Sequence, residues 1–311
     1  PFPNAYYTIG DESTPTGRRI NFKTDAMPAN NLGVHIDASE YNMSDGFSQG
    51  QSIIVKVPGL DTPEALAQTS ASGLSDPSRY ADAEAPVVVL DAVTGERHPV
   101  WTELDSTATS PSSTAVVIHP LVNFDPEARY IVAMRNLKDG SGIVLKAPAG
   151  FRYYRDSLPS TRPEINQRRQ HFENVFRKLR TAGIKRSNLY LAWDFTVASD
   201  ENNSARALAM RNQAFAELGD NDLGDLAIPA DSVPPAFSVT SAVPNPSTNI
   251  ARRVEGTFEV PCYMTENCAP GARLNLGEDG LPVKSGTYTA NFSCIIPHSA
   301  TDDPGARPGR A

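Results

Sequence analysis

Long apolar runs are missing from this 311-residue chain. The best stretches, such as Ala85-Pro86-Val87-Val88-Val89-Leu90, fall far short of the roughly 18 residues a membrane-spanning helix needs, so no membrane span is expected. Cysteine is scarce. Cys262, Cys268 and Cys294 all lie in the last fifth of the chain, so at most one internal disulfide forms and one thiol is left over. Their spacings match no zinc template, and no histidine clusters beside them except His298. There is no glycine-rich phosphate loop, no G-x-G-x-x-G after a strand and no H-E-x-x-H, so neither cofactor nor metal is expected. The first residue is Pro1 and no basic-then-apolar leader precedes it, which leaves targeting to be inferred indirectly.

What is present begins with proline: 26 residues, against about 16 for average usage of about 5%. Proline removes backbone donors that helices and central strands need, so loops and short strands should dominate. The 28 Lys and Arg are outnumbered by 36 Asp and Glu, giving a formal net charge of −8. Taken over the whole chain, that balance repels phosphate backbones and anionic lipid, and makes nucleic acid and acidic membranes poor partners. The length exceeds the usual size of one core, so two domains, or one and part of another, are expected.

Residues 1–45 show no sustained period but hold Phe2, Tyr6, Tyr7, Ile20 and Phe22, and read as an extended arm lying against a folded body. From Ser52 onward, short apolar runs recur between turn signals: Ile53–Val57, Val87–Leu90, a strand around His98–Leu104 after the Val93–Glu96 turn, Ala115–Ile118, Tyr130–Met134 and Phe151–Tyr154. That rhythm predicts an antiparallel β-sandwich over 46–157. A helix–strand–helix segment follows over 158–225. Thr161 and Glu164 form a capping-box pattern around Pro163, apolar residues from Ile165 to Leu179 share a face, and Gly183 is the stop. Leu189–Val197 alternates as a half-buried strand, and a second helix runs from Ser199 or Asp200 to Gly219. Five prolines make 226–250 a stiff linker with at most a brief strand at Phe237–Val239. In 251–311, Val254, Phe258 and Val260 alternate, as do Tyr288, Ala290, Phe292 and Cys294, predicting a hairpin with a long loop. Such a pair is marginal in water and needs neighbours.

Gly46-Phe47-Ser48-Gln49-Gly50 fits the nucleophile pattern G-x-S-x-G. A polar loop precedes it and a strand follows, which is the wrong context for an elbow between strand and helix. His98, His119 and His171 lie downstream with many aspartates available, so chain order does not forbid a triad but does not support one. His35 and Asp37 could share a strand face and read as a surface pair. Asp220, Asp222 and Asp225 place oxygens as calcium loops do but lack the distal glutamate, and read as a solvated loop. Asp194 beside Trp193 could be an acid of raised pKa, but no second carboxylate is placed to partner it, and a core tryptophan on a half-buried strand is the favoured reading.

Val117-Ile118-His119-Pro120, Leu121, Phe124, Asp125-Pro126, Ala128-Arg129-Tyr130 and Lys138-Asp139-Gly140 resemble bacterial immunoglobulin-like domains of surface and secreted proteins, over about residues 50–156. Ala192–Ser199, Arg252–Tyr263, Phe292–Pro297 and the opening Pro1–Pro28 are similar to the front part of large secreted bacterial α/β-hydrolases of lipase or esterase type. The resemblance implies a mainly β chain: a sandwich, a helical α/β segment and the opening strands of an incomplete hydrolase core. It implies a disulfide between Cys262 and Cys294, bracing those strands, and a secreted or cell-surface location. The partner would be a hydrolase core beyond Ala311 acting on an ester, lipid or glycan. No catalytic residue can be carried over, so the chain itself is expected to be non-catalytic. The alternatives are a free-standing immunoglobulin-like adhesion or glycan-binding module and, third, a complete hydrolase using Ser48.

Overall fold

The computed structural model describes residues 1–301, so the last ten residues of the expected segment 251–311 lie outside the described residues. The chain divides into two compact units, one of residues 1–203 and one beginning at Ser204. Strands outweigh helices in both the element order and the sheets.

In the first unit, β1 (Thr8–Gly10) and β2 (Arg18–Ile20) form a small hairpin. They are followed by β3 (Ile53–Val55), the helix α1 (Pro63–Thr69), β4 (Val87–Asp91), β5 (Arg97–His98), β6 (Val100–Leu104), β7 (Val116–Pro120) and β8 (Arg129–Arg135). The helices α2 (Ala149–Arg155) and α3 (Pro163–Thr181) come next, then β9 (Leu189–Thr196). Two sheets result, ordered β3-β7-β6 and β5-β4-β8-β9, and every pairing within them is antiparallel. The chain changes sheets at Pro99, between β5 and β6, where proline ends one ladder and its carbonyl accepts the Leu121 amide.

The sheets share one core: Ile53, Val100 and Ile118 from the first meet Val89, Val132 and Phe195 from the second. This is compatible with a β-sandwich. The outer face of the four-stranded sheet is buried too. Val88, Ile131, Ala133 and Ala192 pack there against Phe151 of α2 and Phe172, Val175, Phe176 and Leu179 of α3. β4 and β8 therefore read as nearly unbroken apolar runs, because neither face meets water.

The arm lies against the folded body of the first unit: Phe2 bridges to Ile54, Phe2, Tyr7 and Phe22 pack on the shared core, and Trp193 Nε1 donates to Pro3 O at 2.8 Å. Other expectations need correcting. Phe151–Tyr154 is helical, because Phe151 and Tyr154 must both reach Phe172, a spacing of three that a strand would put on opposite faces. The capping box does not form: Arg162 is the N-cap of α3 and makes no side-chain cap bond. β9, expected in a separate segment, is an edge of the four-stranded sheet, so the paired strands extend beyond residue 157.

The second unit contains most of α4 (Asp200–Glu217) and a sheet of β10 (Phe237–Ser247), β11 (Ile250–Cys262) and β12 (Gly286–Pro297). The expected linker thus holds an eleven-residue strand. Its Pro244 and Pro246 are tolerated because β10 is an edge that, among the described residues, pairs only with β11. The expected hairpin of β11 and β12 is present, in an antiparallel register running from Ile250↔Pro297 to Cys262↔Gly286.

That register also overturns the Cys262–Cys294 pairing. Cys294 lies opposite Val254, eight residues along β12 from the partner of Cys262, or roughly 26 Å at about 3.3 Å per residue. The disulfide joins Cys262 to Cys268 across the turn that follows β11, and Cys294 is an exposed free thiol. Two outcomes are expected. Maleimide should label the native protein at Cys294 alone, read by peptide mass spectrometry without reduction. Phe195→Ala, at a ring with no exposure against Phe47, Phe124 and Tyr130, should lower stability by about 3–5 kcal/mol in chemical denaturation.

Candidate functional site

The G-x-S-x-G glycine has a packing role. A Cβ on Gly46 would stand 2.5 Å from Ala198 N, because Phe47 forms a parallel bridge to Val197 and exchanges hydrogen bonds with Thr196 O and Ala198 N. The adjacent Asp45 is buried, and its Oδ1 accepts the Ser199 amide at the start of α4. Ser48 is exposed on the loop beyond, and no imidazole bonds its hydroxyl among the described residues.

The histidines occupy different environments. His98 is buried between Phe124 and Tyr130, and its Nε2 donates to Val122 O at 2.9 Å. Burial pushes this imidazole below its ordinary value, against that hydrogen bond and the charges of Asp125 and Asp91. His35 bonds Met27 O, and Asp37 Oδ1 accepts the Ser39 amide. His298 opens a short 3₁₀ turn after β12. Asp220 and Asp222 each accept a backbone amide two residues ahead, as turn carboxylates do.

His171 meets the Asp194 carboxylate, which is buried on the helix-facing side of β9. Its Nε2 lies 2.6 Å from Oδ1, and Arg129 Nε donates to Oδ2 at 2.7 Å from the neighbouring strand. Arg129 also donates to Asn174 Oδ1, three residues from His171 on the same helix, while its second terminal nitrogen is buried without a partner. Burial alone would raise the Asp194 pKa. The His171 hydrogen bond, the Arg129 and His171 charges and the Arg129 hydrogen bond outweigh it, and the carboxyl sits below its ordinary value. Asp194 is therefore a structural anion, the opposite of a raised-pKa acid.

His119 has an arrangement with the shape of a nucleophile relay. On the outer face of β3-β7-β6, its Nε2 donates to Glu103 Oε1 at 2.9 Å and its Nδ1 lies 3.0 Å from Ser52 Oγ. A carboxylate on one ring nitrogen leaves the other to accept the serine hydroxyl. Trp101 stacks on the same ring with centroids 4.2 Å apart. Register produces the group: Trp101 pairs directly with His119, Glu103 is two residues further on β6, and Ser52 precedes the Ile53↔Ile118 pair. Sequence reasoning named His119 but missed Ser52, Trp101 and Glu103. The available signal was the alternation of Trp101 and Glu103 with the inward Val100 and Thr102, which puts both outside once β6 is paired with β7.

This relay lacks an elbow's surroundings. Ser52 leads into a strand rather than into a helix whose first amides could stabilise an oxyanion, and the half-exposed Ile54 lies along the same open face. What the group offers is an indole beside a hydroxyl, an imidazole and a carboxylate.

The buried charge network makes a checkable statement about acid. Because the folded pKa of Asp194 lies below its ordinary 3.8, the stabilisation is present above that value and is lost as pH falls through the folded one. The unfolding free-energy difference between the natural protein and Asp194→Asn should shrink from about pH 5 to about pH 2. Asp194→Ala, which strands Arg129, should cost about 3 kcal/mol at neutral pH. Comparison of the chain with protein-family models, curated proteins and solved structures finds no match.

Proposed function

We propose that this chain is the non-catalytic N-terminal portion of a secreted bacterial serine-hydrolase-like protein of lipase or esterase type. In this reading the first unit is an immunoglobulin-like sandwich with a helical layer, and β11 and β12 open a hydrolase core that further polypeptide completes. One observation carries the reading. The second unit forms strands of eleven to thirteen residues, yet its buried described side chains are Cys262, Tyr263, Pro282 and Asp220. Phe237, Tyr288 and Ile295 remain 70, 47 and 56% exposed. A sheet of that length with so little core supports a reading in which further polypeptide covers its faces. The Cys262–Cys268 disulfide supports an oxidising location.

A second reading, a free-standing adhesion or glycan-binding module, draws support from Trp101, Ser52, His119 and Glu103, since a ring flanked by hydrogen-bonding groups suits a sugar. The third, a hydrolase using Ser48, draws none from the geometry.

Sequencing the gene past Ala311 should reveal a His-Gly segment and a G-x-S-x-G set between strand and helix; a stop codon directly after Ala311 would overturn the first reading. Fluorophosphonate should leave both Ser48 and Ser52 of this chain unlabelled. Glycan-array binding that Trp101→Ala abolishes would shift the conclusion to the second reading.

A further inference from the structure

The net charge of −8 conceals a segregation. Residues 146–186 hold eleven of the 28 basic residues and three of the 36 acidic ones, a formal +8, so the rest of the chain carries −16. This stretch forms the helical layer on the outer face of the four-stranded sheet, and its cations line three cavities that share lining residues. The first, about 430 Å³, is bordered by Lys146, Arg152 and Arg155 and reaches Ser187. Ser187 also lines the second, about 340 Å³, with Arg177, Arg180 and Lys185. Arg177 in turn lines the third, about 300 Å³, with Lys178 and the β4–β5 turn.

Much of this charge is not used by the fold. Arg155 and Arg186 are committed to backbone carbonyls and to Asp156 and Glu173. Lys146, Arg177, Arg180 and Lys185 have no ion pair or side-chain hydrogen bond among the described residues. The α3 dipole accounts for cations in its last turn, but Lys146 and Lys185 lie outside that helix. The carboxylates along the track are engaged: Glu173 by Arg186, and Asp91 by the Val93 and Thr94 amides.

Both ends of the track carry exposed aliphatic side chains. Val144 lines the first cavity beside Ile143, and Val93 lines the third, at 55, 66 and 82% exposure. We infer that this face docks on an anionic lipid surface, the cations contacting headgroup phosphates while Val93 and Ile143–Val144 enter the boundary beneath them. A polyanion dissolved in water has no use for the aliphatic ends. Along the three cavities a nucleic acid strand would find no free ring, since Phe176 and Tyr190 are buried and Arg186 covers Phe176 at 4.1 Å. The face belongs to the first unit and does not depend on what completes the second.

Vesicle sedimentation with the full 311-residue chain tests the inference. Binding should occur to phosphatidylcholine vesicles containing phosphatidylglycerol, not to phosphatidylcholine alone, and should fall as salt rises. Arg177→Gln, Arg180→Gln and Lys185→Gln together should weaken it on the order of a hundredfold, near fivefold per cation. Arg252→Gln with Arg253→Gln, on β11, should leave it unchanged. Val93→Ser with Ile143→Ser should weaken vesicle binding without altering retention on heparin. These positions are exposed, and matching circular dichroism and melting curves confirm that each variant folds. Equal binding to both vesicle types, or full binding by the triple variant, would overturn the proposal. So would heparin or duplex DNA binding as tight as vesicle binding together with indifference to the Val93 and Ile143 changes, which would assign the face to a soluble polyanion.

Discussion

The strand Arg129–Arg135 is buried on both faces, and the first unit is organised around that constraint. Tyr130, Val132 and Met134 belong to the core shared by the two sheets, while Ile131 and Ala133 belong to the core beneath the helices. A strand in that position must be apolar throughout, and any charge at its ends needs a buried partner. Arg129 meets this demand through Asp194 on the adjacent strand and Asn174 on α3, and His171 completes the neutralisation from the same helix. One network therefore fixes the helical layer to the sheet, and that layer carries the concentrated positive charge on its outer side.

The two units differ in how they use their strands. In the first, short strands bury nearly every inward side chain, and even the N-terminal arm contributes, through Phe2 and the Pro3 carbonyl under Trp193. In the second, longer strands hold one another by backbone pairing while large apolar side chains stay in solvent. All the charges of that sheet sit on the central strand β11, and the two edge strands carry none. Edges meant to face water are commonly guarded by charge, so uncharged edges fit a sheet that receives further strands.

The histidines show that surroundings, not residue type, assign chemistry. Burial against Phe124 lowers the His98 pKa, His171 serves a structural carboxylate, and His119 joins a hydroxyl to a carboxylate. The serine of the most conspicuous motif has no such environment, and the serine that has one belongs to no motif. The glycine that made the motif is explained by the backbone of Ala198 passing too close for a side chain.

Local pattern was enough to place most elements. Alternation marked β9, β11 and β12, apolar runs marked β4 and β8, and a one-sided face closed by Gly183 marked α3, because periodicity depends only on neighbours along the chain. The clustering of cations over residues 146–186 was also countable in the sequence, but the whole-chain total masked it. Other features needed pairing across long separations. The edge position that admits Pro244 and Pro246 into a strand, the recruitment of β9 into the sandwich, the spacing of Cys262 and Cys294, and the meeting of Ser52, Glu103 and His119 are all set by register. Register is decided by which strands lie side by side, and a linear string of residues does not contain that information until the chain has folded.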